Sequence, residues 1–116
     1  MENKDYTVEI LEIIRSNISP GIMRSRLEDY HANDLAEVFP QLKVSERRKI
    51  CRILDLDMLS DIFEHIDEQE AAEYLDEMDI KKAAAILSAM ETDAVVDVLQ
   101  MIPKEKKNLL IELMDD

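Results

Sequence analysis

From Ala32 onward, apolar residues return with a period of twelve. Seven units follow without a gap: 32–43, 44–55, 56–67, 68–79, 80–91, 92–103 and 104–115, with a weaker unit over 20–31. Position 11 of each unit holds Leu42, Leu54, Ile66, Met78, Met90, Ile102 and Met114, and position 8 holds Phe39, Cys51, Phe63, Leu75, Leu87, Leu99 and Ile111. Position 7 adds Val38, Ile50, Ile62, Tyr74, Ile86, Val98 and Leu110. Position 4 is Leu35, Leu59, Ala71, Ala83 and Val95, with charged exceptions at Arg47 and Lys107. These positions are spaced i, i+3, i+4, i+7, which is one face of a helix.

The period decides between one long helix and many short ones. At roughly 100° per residue, twelve residues carry the apolar stripe about 120° beyond full turns, so a continuous helix would smear it around the cylinder. The helix therefore breaks once per unit. Position 12 supplies the punctuation with Asp55, Asp67, Asp79, Glu91, Pro103 and Asp115; Asp67 and Glu70 have capping-box spacing, and Thr92 is a candidate cap for the next helix. Helices of about ten residues are too short to stand alone in water. Antiparallel stacking buries the shared stripe, and small residues at position 5 (Ala36, Ser60, Ala72, Ala84) let backbones approach. The expected fold is all-α: an α-solenoid of short antiparallel helices in a 12-residue repeat over 20–116. An amphipathic segment within 1–19, carrying Tyr6, Ile10, Ile13 and Ile14, is expected to cap the stack.

Composition sharpens this picture. The 116 residues suit a single domain; 47% are hydrophobic, 35% are charged, and there is one glycine and no tryptophan. The net charge of −13 disfavours nucleic acid and anionic lipid surfaces and favours cations or a basic protein face. The lone Cys51 and an N-terminus without a secretion-signal layout point to a reducing cytosol. The uncharged stretch Ala83–Met90 falls far short of the roughly 20 residues of a membrane-spanning helix.

Little chemistry is on offer. One glycine excludes a glycine-rich phosphate loop, and two histidines with one cysteine make no zinc pattern. Cys51 and the position-11 methionines read as core, His65 as a surface residue, and no enzyme is expected. Asp93 and Asp97 stand i, i+4 on one helix face with no cation among Ala94, Val95, Val96 and Val98. Two readings stand for this pair: a solvated acidic face, or half of a site for a hard cation such as Mg²⁺, which often takes only one or two protein carboxylates. Asp61, also at position 6, joins them if the superhelix turns suitably.

The segments "HANDLAEVFPQL" (31–42) and "SERRKICRILD" (45–55), with the recurrent "AAEYLDEMD" unit, resemble the cytosolic N-terminal domain of MgtE magnesium transporters. Ala32 stands where that family usually writes proline; His31, Asp34, Leu35 and Ala36 keep the pattern. The resemblance implies a right-handed superhelix and a fragment of a longer transporter, on the cytoplasmic side of the cell membrane. It also implies CBS domains of the same protein as partners, and a homodimer formed through segments outside this chain. Family ligand positions for weak, bridging, regulatory Mg²⁺ fall on Asp61, Asp93 and Asp97, and docking on the CBS domains through these ions favours the closed state. A second resemblance, to the middle domain of the flagellar rotor protein FliG, implies a metal-free interaction scaffold.

Overall fold

The computed structural model describes residues 5–114. It contains α1 (Thr7–Arg15), α2 (Pro20–Leu27), α3 (Ala32–Val38), α4 (Val44–Ile53), α5 (Leu56–Glu64), α6 (Glu68–Asp76), α7 (Ile80–Ala89), α8 (Thr92–Leu99) and α9 (Lys104–Met114), with no strand among the described residues. From α3 to α9 every helix starts at position 1 of its unit. At α5, α6 and α7 the cause is position 12. Asp55 Oδ1 accepts from Met58 N–H (2.9 Å); Asp67 Oδ2 accepts from Gln69 and Glu70 N–H, and Asp79 Oδ2 from Lys81 and Lys82 N–H. Each carboxylate satisfies amides that a helix start leaves orphaned.

Two starts depart from expectation. Thr92 is the first helical residue of α8 rather than its cap; Glu91 takes the cap position without a side-chain bond, and its own N–H donates to Glu64 Oε2 at 2.8 Å. In α4 the cap position holds Lys43, whose N–H donates to Glu46 Oε1 (2.8 Å). Asp115 lies outside the described residues. One helix is also shorter than expected: Pro40 has no N–H to continue the ladder, so α3 tightens into a 3-10 turn at Phe39–Gln41.

Packing skips one helix at a time. α1, α3, α5, α7 and α9 stack in succession as one layer, while α2 packs on α4 and α6 on α8 in the other. The extents of 40 × 35 × 22 Å fit this, since 22 Å is about two helix diameters. Position 7 is buried in every unit from Val38 to Leu110, and position 8 from Phe39 to Leu87. Position 5 behaves as expected: Ala36, Ser60, Ala72 and Ala84 are all buried, and the Ser60 hydroxyl donates to the Asp57 carbonyl (2.9 Å). Ile10 and Ile14 of α1 are buried as the helix packs on α2, α3 and α4. At the other end Ile111, in the same position 8, is 45% exposed.

Arg47 explains its own exception to the stripe. Its guanidinium lies 4.6 Å from the Tyr74 ring centroid, donates to both Glu77 oxygens (2.6 and 2.8 Å), and donates to the carbonyls of Phe39 (3.1 Å) and Leu42 (2.6 Å). One side chain thus closes the frayed end of α3 and ties α4 to α6, a pair otherwise less closely packed than α2 with α4 or α6 with α8. Phe39 stacks edge-on against Phe63, with ring centroids 5.7 Å apart, which continues this cluster into the core.

Candidate functional site

α8 is built from β-branched residues that face inward at Val95 and Val98. The opposite face carries Asp93 and Asp97, both exposed, whose side chains make no ion pair or hydrogen bond to any described residue. Asp93 lies in the first turn, where the positive end of the helix dipole offsets part of the repulsion from Asp97.

Asp61 sits one turn before the end of α5, also exposed. Its backbone carbonyl accepts from His65 Nδ1 (2.8 Å), and its carboxylate makes no ion pair or hydrogen bond to any described residue. It lines a recess together with Glu28 and Tyr30. Glu28 in turn is drawn toward Arg24 at 3.3 Å.

The structure does not gather the three aspartates into one centre. Among the described residues no group of three His, Cys, Asp or Glu side chains is arranged to hold a metal. The reason is the layering: Asp61 belongs to the α1-α3-α5-α7-α9 layer and Asp93 with Asp97 to the other. Glu64 links the two sets, because its bond to the Glu91 N–H joins the end of α5 to the start of α8.

One residue escaped the sequence reading. Asp57 stands at position 2 of the α5 unit, exposed, and repeats with Asp61 the Asp-x-x-x-Asp spacing of Asp93 and Asp97. Positions 2 and 6 lie opposite the apolar stripe, and only α5 and α8 place aspartate at both. Reading down those two columns of the repeat would have found it.

Cys51 and His65 are where they were expected. Cys51 is buried, which pushes its thiol up to about 11, and His65 is exposed. Among the described residues, no helix is long and apolar enough to cross a membrane.

Comparison with known proteins places this geometry. The family described as the MgtE intracellular N domain matches residues 30–116. A crystal structure of the soluble part of a magnesium transporter superposes with a TM-score of 0.82 at 28% identity, covering 92% of this chain. The chain spans 42% of the length of that matched protein. No curated protein matches. The match selects the transporter resemblance over the rotor one. The chain belongs to the MgtE intracellular N domain family.

Proposed function

We propose that this chain is the cytosolic Mg²⁺-responsive regulatory part of a magnesium transporter, docking on CBS domains of the same protein through bridging Mg²⁺ to favour the closed state. The observation that carries the reading is the pair Asp93 and Asp97, exposed on one face of α8 with no cation to neutralise them. Two carboxylates with no third ligand suit half of a Mg²⁺ site, because Mg²⁺ keeps several waters and accepts a ligand from a second surface. Asp61, with Asp57 beside it, offers a second half-site on α5.

The mechanism is electrostatic. At low Mg²⁺ a chain of net charge −13 repels an acidic partner; bound Mg²⁺ cancels that repulsion and holds the two surfaces together. Because the ion binds the docked arrangement better than the separated one, rising Mg²⁺ shifts the population toward docking and closure.

The test is the double substitution Asp93→Asn with Asp97→Asn in the full-length transporter, read as the Mg²⁺ concentration that half-closes it. A shift to higher Mg²⁺ is expected; an unchanged value removes these residues from the mechanism. Residue-resolved NMR of the chain, titrated with Mg²⁺ against matched Na⁺, separates local binding from screening.

A further inference from the structure

Charge is divided unevenly along the chain: nine of the 14 basic residues precede residue 56, while 17 of the 27 acidic residues follow it. Five of those nine line a groove between α1, α2 and α4. Arg15, Lys43, Lys49 and Arg52 line one half of it, and Arg24, Lys49 and Arg52 the other; Ile14, Pro20 and Ile53 form apolar wall. Glu46 is the one acidic residue lining it, and Arg15 already holds that carboxylate at 2.9 Å. Arg24 faces Glu28 and Asp55 at 3.3 and 3.4 Å, both weakly held and solvent-exposed. Among the described residues the Arg52 side chain has no ion-pair or hydrogen-bond partner, and the Lys49 side chain reaches only the Ile14 carbonyl (3.2 Å).

In a chain with almost twice as many carboxylates as cations, leaving Lys49 and Arg52 unneutralised side by side is a distinct feature. Lys49 and Arg52 stand i, i+3 on one face of α4, and both line each half of the groove. Two cations lining one recess exceed what a carboxylate, with a single charge, can balance. A phosphate group carries about −1.5 to −2 at neutral pH and offers acceptors for both an ammonium and a guanidinium fork.

We propose that the α1-α2-α4 groove binds a phosphate-bearing anion, with Lys49 and Arg52 as its principal contacts and Arg24 and Lys43 at its rim. A soluble polyphosphate compound and a lipid headgroup present the same chemistry. The site is separate from the acidic faces of α5 and α8, so its test is independent of the Mg²⁺ reading.

The test is ¹⁵N NMR of the 116-residue chain in Mg²⁺-free buffer, titrated with pyrophosphate against NaCl of equal ionic strength. Saturable shifts confined to the end of α4 and the first turn of α2 are expected. Arg52→Gln, at an exposed residue whose loss leaves thermal melting unchanged, is expected to weaken them roughly tenfold or more. In a parallel arm, co-flotation with phosphatidic acid vesicles but not phosphatidylcholine vesicles identifies a headgroup as the source; pyrophosphate binding without flotation identifies a soluble one. Absence of saturable pyrophosphate shifts, shifts that Arg52→Gln leaves intact, or stronger binding to a poly-glutamate peptide overturns the proposal.

Discussion

Replacing Arg47 by alanine tests how a charged residue holds a place in an apolar stripe. The substitution removes both bonds to Glu77, the donors to two carbonyls, and the contact with Tyr74. The side chains of Arg47 and Glu77 are 11% and 21% exposed, so the pair is mostly but not fully shielded. Breaking a buried pair costs about 3–5 kcal/mol, and the open side of Glu77 puts this one at the lower end. The ring contact adds about 1 kcal/mol, but the terms share one side chain and are not additive. The expected loss is about 3 kcal/mol. With an unfolding entropy of about 2.1 cal/mol/K per residue, a chain of 116 residues loses about 12 °C in Tm.

The assay is thermal and urea unfolding followed by circular dichroism at the helix band. Arg47→Lys keeps the charge but loses the fork, and is expected to cost about half as much. Glu77→Gln completes a double-mutant cycle with Arg47→Ala, in which a coupling of at least about 1 kcal/mol is expected. A Tm fall of under about 3 °C for Arg47→Ala, or strictly additive energies in the cycle, refutes the idea that this cluster links α4 to α6.

Three further outcomes follow from the same structure. Arg15, and then the Lys43 N–H, hold the Glu46 carboxyl below its usual range, so its contribution is full above about pH 4.3 and is lost as pH falls through the lowered value. Arg15→Gln should therefore shrink the difference between urea midpoints measured at about pH 5 and pH 3; an unchanged difference contradicts this. Burial holds the Cys51 thiol at about 11, leaving only about one molecule in a thousand as thiolate at pH 8, so a disulfide reagent should label it quickly only in urea. Rapid labelling of the native chain is the contrary result. Leu110→Ala should cost about 3 kcal/mol and its neighbour Ile111→Ala under about 0.5, because the first is fully buried and the second 45% exposed; equal urea midpoints would contradict the assigned end of the stack.

The helix starts were legible because their cause is local: Asp55, Asp67 and Asp79 act on amides two or three residues away. The core was legible for the same reason, since a stripe at positions 4, 7, 8 and 11 needs only one helix to define it. Pairing between alternate helices was not, because units that share one apolar pattern give no sign of which neighbour each one meets. Arg47 stood out as an anomaly and no more, as its partners Tyr74 and Glu77 lie about 30 residues on and nothing near Arg47 names them. Asp57 stands out only when position 2 is compared between units, where aspartate occurs at 57 and 93 alone.

The distribution of carboxylates separates structural acids from those free to meet an ion. Asp55, Asp67 and Asp79 direct oxygens at helix starts; Glu46, Glu77 and Asp76 are held by Arg15, Arg47 and Lys106; Glu64 holds the Glu91 amide. Asp5 accepts from the Thr7 N–H, Glu9 from the Tyr30 hydroxyl, and Glu28 meets Arg24; of the acids without such a partner, two pairs repeat one spacing on α5 and α8. Like charges at i, i+4 cost a helix a few tenths of a kcal/mol each, which neighbour packing in a solenoid easily covers. Asp57 and Asp93 gain only the helix dipole of a first turn, yet α5 and α8 present all four aspartates outward, in pairs, on helices whose other face is locked in the core. Such pairs are rigidly placed yet electrostatically unsatisfied, and it is on this feature that the proposed bridging by Mg²⁺ rests.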